Sequence, residues 1–286
     1  MFTDSPTTPL RVETLISVIQ DFGSRSLPDT TVVSLLQPKG LPDLNAASNQ
    51  AKETIKAAIE LGLISRDSGE LTLTNRITRR RSVRECVLES CDDVLLAKTD
   101  VEPYLALFFS FMLGRGSDAG RFPRKEWVEQ FNDTLFGGRT GNPFNDEKVT
   151  GLNRWFTYLG LGWHDSTGEF QCNPYDRLRR QLPTLFGKGR KLDDQSFMEC
   201  VGNVCPELDG GELFLRANPQ YDPMAKEVTL GLANALVELH LDGVIVLHCE
   251  GDSGGWSLRQ AAPPVEGAMR SDRLDHVEWL KKGVAA

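Results

Sequence analysis

Two runs of basic residues are the first groups in this sequence whose types and spacing could do chemistry. Arg79, Arg80, Arg81 and Arg84 form one, and Arg177, Arg179, Arg180, Lys188, Arg190 and Lys191 form the other. Clustered guanidinium and ammonium groups neutralise phosphates with little regard to base sequence, so the chemistry they suit is polyanion binding. Such side chains also cover neighbouring surface and pair with carboxylates. The first run is read as a nucleic-acid contact; the second leaves both uses open. A third candidate is the stripe Asn45, Asn49, Lys52 and Lys56, spaced 4, 3 and 4, which shares one helical face. Asn and Lys can reach base edges and phosphates from such a face, although Glu53 and Glu60 flank it. Arg66, Arg121, Arg124, Lys125, Asn153 and Arg154 complete the expected DNA-contacting set.

Chemistry of other kinds finds less support. There is no phosphate-binding G-x-x-x-x-G-K-[ST], no G-x-S-x-G and no H-E-x-x-H, so the expectation is a protein without catalytic residues. His164-Asp165 falls between two short apolar segments, where the pair is read as turn-forming rather than as a general base. Cys86/Cys91 and Cys200/Cys205 share a C-x4-C spacing, yet residues five apart on a helix point in different directions. Neither a metal nor a cofactor is expected.

The elements that must position these residues recur along the chain. Ile55–Leu73 reads IKAAIELGLISRDSGELTL, and Leu152–Cys172 reads LNRWFTYLGLGWHDSTGEFQC. Aligning Leu61-Gly62-Leu63 with Leu159-Gly160-Leu161 superposes Asp67-Ser68 on Asp165-Ser166. One inserted residue, Thr167, then superposes Gly69-Glu70-Leu71 on Gly168-Glu169-Phe170. A weaker version runs from Leu232 to Arg259. Each describes an amphipathic helix ended by glycine, a short apolar strand, a turn of Asp, Ser and Gly, and a second strand. This helix followed by a hairpin resembles the third helix and wing of a winged-helix domain. Upstream segments supply two further helices per unit: Val12–Phe22 and Thr31–Leu36, Pro103–Leu113 and Arg124–Leu135, Asp176–Leu185 and Asp194–Val204.

The expected architecture is therefore mainly α with small β-hairpins (α+β), in three tandem winged-helix-like units. These span 1–76, 99–174 and 175–262. A linking helix occupies 77–98, and a linker with a short C-terminal helix occupies 263–286. In a winged helix the third helix enters the major groove, which makes Lys52/Lys56 and Asn153/Arg154 the candidates for base and backbone contact. The third helix of the last unit, Thr229–Leu239, carries no cation and is apolar nearly all round, so that unit is read as a protein-binding module. Leu274, Val277 and Leu280, spaced by three, suggest that Ser271–Lys282 docks as a helix on this chain or on a partner.

Composition limits the partners. Forty acidic against 32 basic residues give a net charge of −8, so the whole-molecule field opposes DNA and any contact must be local and backbone-dominated. The strongest candidate for a membrane span, Leu105–Leu113, is too short to cross a bilayer, and the N-terminus lacks a signal-peptide layout, so a cytoplasmic protein without membrane association is expected.

Leu15–Phe22, Gly40-Leu41-Pro42-Asp43 and Ile55–Ile64 resemble the DpdG family, accessory proteins of bacterial systems that place 7-deazaguanine derivatives in DNA and restrict foreign DNA. The resemblance implies a non-catalytic DNA-binding or assembly subunit of a DNA-modification or anti-phage defence complex. Two alternatives stand beside it. One is an interaction adaptor whose winged helices never touch nucleic acid. The other is a transcriptional regulator, which would need dimerisation and a palindromic site.

Overall fold

The computed structural model describes residues 2, 7–22, 26–37, 44–78, 80–116, 124–137, 144–249, 254–258 and 273–281, with backbone alone at 44–49 and 124. The chain is mainly helical with small antiparallel sheets, the expected α+β class. It divides into two compact units. One comprises Met1–Leu105 with Asn145–Tyr158; the other comprises Ala106–Phe144 with Leu159–Ala286.

In the first unit, α1 (Pro9–Asp21) opens on a proline, whose fixed φ suits the first helical position. Val12, Leu15, Ile16 and Ile19 make its buried stripe. β1 (Ser26–Pro28) leads directly into α2 (Asp29–Leu36), and α3 (Leu44–Glu60) is followed by the hairpin β2 (Ile64–Asp67) and β3 (Glu70–Leu73). Gly62 takes φ +68° just past α3, the left-handed geometry that stops a helix and satisfies its last carbonyls. Ser68 and Gly69, at φ 49° and 83°, form the two-residue turn that sets Asp67 opposite Glu70. β1 pairs with the far side of β3, giving the order β1-β3-β2. Ile55, Leu61, Leu63 and Leu71 are fully buried around this sheet, each contributing about 1.5–3 kcal/mol. Within 77–98, where a linking helix is expected, α4 (Val83–Cys91) forms inside this first unit, continued by a π-helical turn at Asp92–Leu96 and started by a capping box between Ser82 and Glu85. The helix Asp146–Leu159, α7 in chain order, belongs to this unit except for its last residue. Its Trp155 meets Phe2 edge-on at 5.1 Å.

The second unit is built on α5 (Leu105–Arg115) from Ala106 onward, a helix rich in apolar residues and buried through Phe111. Phe108, Phe111, Phe131 and Phe144 form one aromatic cluster between α5, α6 (Arg124–Phe136) and the chain beyond it. The hairpin β4 (Gly162–His164) and β5 (Phe170–Cys172) precedes α8 (Tyr175–Phe186), β6 (Lys191–Asp193) and α9 (Asp194–Val204). After α10 (Glu212–Ala217) and α11 (Leu230–Leu241) come β7 (Ile245–His248), β8 (Trp256–Ser257), β9 (Arg273–Leu274) and β10 (His276–Trp279). The elements expected over 99–174 thus contribute to both units, α7 to the first and α5, α6 and β4–β5 to the second.

Two expectations fail at the C-terminal side. Ser271–Lys282 forms no helix in its described part. β10 lies between β6 and β7 in the order β6-β10-β7. The spacing of Leu274, Val277 and Leu280 carried the helical reading, but Val277 and Trp279 bury with period two, and the open edges of β6 and β7 supply the missing hydrogen bonds. The partner expected for β7 within Leu232–Arg259 is also not the adjoining one: Trp256–Ser257 pairs with Arg273–Leu274 instead. Even so, β6 precedes and β7 follows a run of helices as β1 and β2 do, with α10 added in that run and β8 and β9 before β10, and the strand order corresponds.

Candidate nucleic-acid interface

α3 presents cations because its two faces are chemically opposed. Ala51, Ile55 and Ala58 are buried, and Lys52 and Lys56 are exposed, four residues apart on the other face. Among the described residues neither lysine forms an ion pair. Glu60, half-buried on the same helix, has its carboxyl raised by burial, with Lys56 acting in the opposite direction. The side chain of Asn49 lies outside the described residues.

The arginines differ in how much of their charge is committed. Arg66 on β2 is exposed and pairs with Asp29 at 3.0 Å, tying the hairpin to the start of α2. Arg79 lies outside the described residues. Arg80 is exposed and makes no ion pair among them. Arg81 pairs with Glu89 on the solvent side of α4. Arg84 lies 5.3 Å from the centre of the Tyr158 ring, and the Tyr158 hydroxyl donates to Glu13 at 2.5 Å. Burial first, and then this bond to Glu13, pushes the tyrosine well above its ordinary range. Arg84 is thus anchored to α7 while its surface stays exposed. Exposed pairs such as Arg66–Asp29 and Arg81–Glu89 contribute at most ~1 kcal/mol each, which leaves their cations able to exchange a carboxylate for a phosphate.

Arg121 and the Arg124 side chain lie outside the described residues. Lys125, 82% exposed, sits 3.9 Å from Glu129, one turn further along α6. On α7, Arg154 is exposed and Asn153 half-buried, the Asn153 carbonyl accepting from Thr157 Oγ1. Lys52, Lys56, Arg66, Arg80, Arg81 and Arg84 therefore share the first unit with Asn153 and Arg154, whereas Lys125 belongs to the second.

The second basic run separates into two halves. Arg177 is 1% exposed, and its Nε donates to Glu207 Oε1 at 2.7 Å, with Glu207 fully buried. Arg180 donates to the carbonyl of Leu159 at 2.9 Å, satisfying the end of α7. Lys188, Arg190 and Lys191 are exposed. The pairing of Arg177 with Glu207 and that of Tyr158 with Glu13 were missed from sequence, because nothing in the local spacing connects partners so far apart.

The His164-Asp165 pair sits in the turn between β4 and β5. Asp165 Oδ1 accepts from the Thr167 hydroxyl and from the amides of Thr167 and Glu169, while Oδ2 accepts from Gln171 Nε2. Bonds from the Thr167 and Gln171 side chains lower its carboxyl most, to about 2. Cys86, Cys91 and Cys205 are buried and form no disulfide, and no cluster of three or more His, Cys, Asp or Glu suited to a metal occurs among the described residues. No helix among them is long and apolar enough to cross a membrane.

A family model described as DpdG-like matches residues 2–253. No curated protein and no solved structure matches the chain.

Proposed function

Since the chain belongs to the DpdG-like family, we propose that it is a non-catalytic subunit of a DNA-modification and defence complex that grips duplex DNA with its first compact unit. The observation that carries this reading is the exposed Lys52/Lys56 face of α3, the helix that runs directly into the β2–β3 hairpin. The order helix, strand, helix, helix, hairpin, with the sheet arranged β1-β3-β2, supports a winged-helix reading of this unit. In that fold the third helix meets the groove and the hairpin meets the backbone. The recurrence of the strand order in β6-β10-β7 supports the same reading for the last repeat. Arg66 on the hairpin and Arg80 and Arg81 beyond it would supply sequence-indifferent backbone contacts, consistent with a chain whose net charge is −8.

The test is a fluorescence-anisotropy titration of a duplex across a salt series, comparing wild type with Lys52→Glu/Lys56→Glu. Each lost phosphate contact flattens the plot of log affinity against log salt by about 0.9. The double variant should therefore lose roughly two from the slope and bind at least roughly 10-fold more weakly, with an unchanged circular dichroism melt. Equal affinity and slope in the two proteins would refute the placement.

A second reading, a protein-binding adaptor, is favoured by α11. The helix offers no Lys or Arg with which to meet DNA, and its apolar residues Leu232, Leu236 and Leu239 are already covered within this chain. Native co-purification of partners that survives nuclease treatment, together with no duplex binding, would favour the adaptor.

A further inference from the structure

Beyond the first unit, a second group of cations converges where β6 begins. Gly187, at φ +51°, ends α8, and Lys188, Gly189, Arg190 and Lys191 then run exposed into β6. Antiparallel pairing sets Lys191 opposite Glu278, and the Trp279 amide donates to the carbonyl of Arg190 at 2.7 Å. The chain leaving β10 therefore passes beside the basic loop and delivers Lys281, which is also exposed. Its Nζ lies 5.1 Å from the centre of the Trp279 ring, and that ring packs against Phe186 at 5.9 Å beneath the start of the loop. Three cations of one loop and a fourth distant in sequence are thus held at one end of one sheet.

The neighbouring acids are largely committed elsewhere. Asp193 caps α9 by accepting from the Ser196 amide, and Asp194 lies 3.5 Å from Lys226. Glu278 lies 3.7 Å from His248, whose imidazole burial holds below its ordinary pKa, so this carboxylate stays beside Lys191 as the one acid among the described residues facing the group. Among the described residues none of the four cations forms an ion pair. This contrasts with Arg177 and Arg180 of the same sequence run, which point into the protein. The loop adds two glycines and no exposed apolar side chain, so it has charge but no feature with which to read a shape.

We propose that Lys188, Arg190, Lys191 and Lys281 form a second contact for the phosphate backbone of duplex DNA, on the compact unit that does not carry Lys52 and Lys56. It rests on the reading that this chain engages DNA, but on none of the same residues. A duplex offers one charge per ~1.7 Å of axis, a regular array that a surface of four flexible cations can meet without base contacts. An acidic protein would be expected to find apolar anchors as well, and this surface has none.

The experiment uses the full chain in five forms: wild type, Lys52→Glu/Lys56→Glu, Lys188→Ala/Arg190→Ala/Lys191→Ala, those five substitutions together, and Lys188→Arg/Lys191→Arg. Duplex binding is followed by anisotropy over a salt series, with circular dichroism melts checking the fold. The triple variant should flatten the salt slope by about 3 and weaken binding roughly 100-fold near ~0.1 M salt, while Lys188→Arg/Lys191→Arg retains wild-type slope. If the triple variant binds like wild type while Lys52→Glu/Lys56→Glu is weakened, this inference is overturned and the first-unit contact stands. If only the triple variant is weakened, the inference stands and the first-unit placement falls. A wild type that binds no duplex overturns both. Poly-glutamate bound as tightly as duplex at matched charge overturns the assignment to DNA.

Discussion

Replacing Arg177 by Met tests whether this arginine serves the fold rather than a ligand. Arg177 is 1% exposed and Glu207 fully buried, with Nε donating to Oε1 at 2.7 Å. Arg177 also reaches the carbonyl of Val204, and the Glu207 carbonyl accepts from Ser110 Oγ, so the pair joins α8 and α9 to α5. Removing the cation leaves a carboxylate in the interior with its principal charge partner gone, a loss of about 3–5 kcal/mol. For a body of ~150–250 residues each kcal/mol moves Tm by about 2–4 °C, so Arg177→Met should melt roughly 6–20 °C below wild type. The double variant Arg177→Met/Glu207→Gln removes both charges and should recover most of that loss. The assay is urea unfolding of the three proteins at neutral pH, followed by circular dichroism, with duplex affinity measured on the folded fraction. Two results would refute the reasoning. One is an Arg177→Met loss below about 1 kcal/mol, the range of an exposed pair. The other is a double variant as unstable as the sum of the two singles.

Two further perturbations test the second unit. Asp209 is buried and accepts from the Thr229 amide and hydroxyl at 2.7 and 2.8 Å, and burial pushes its carboxyl up to about 6 from 3.8. Because the folded value is raised, its contribution is fully present below about 3.8 and is lost as pH rises through about 6, a span of about 3 kcal/mol. Asp209→Asn should therefore gain on wild type across that window in urea titrations, and parallel pH profiles for the two proteins would sink the idea. Gly114 faces Asn218, whose Nδ2 donates to the carbonyls of Ser110 and Phe214; a Cβ at Gly114 would come 2.1 Å from Asn218 Oδ1. Gly114→Ala should cost about 1–3 kcal/mol through overpacking, and Asn218→Ala in the same chain should relieve part of it. An unchanged denaturation midpoint for Gly114→Ala would show that the site yields.

Much of the first unit was legible in the sequence because its signals are local. The 4, 3, 4 spacing of Asn45, Asn49, Lys52 and Lys56 placed a polar face opposite Ala51, Ile55 and Ala58. Asp67-Ser68-Gly69 marked a turn whose two central residues have positive φ. β10 was not legible as a strand. Four residues give little period-two signal, and of its partners β6 lies beyond three α-helices in sequence, while β7 is separated from it by β8 and β9. The basic runs show the same limit for the site. Arg177 and Lys188 read alike in a composition, yet one is buried against Glu207 and the other faces solvent. Only tertiary placement separates them, as it separates Arg66, paired with Asp29, from Arg80.

The order β6-β10-β7 also governs assembly in time. β6 and β7 leave the ribosome before β10, the strand that both of them need, and until it arrives each shows an inner edge of unsatisfied amides and carbonyls. Such edges are templates for foreign strands, and pairing across so many intervening residues is slow because the loop must close before the contacts form. A nascent chain halted between His248 and Arg273 therefore holds an open slot that a β10 segment from another molecule can fill, the geometry from which strand-swapped dimers grow.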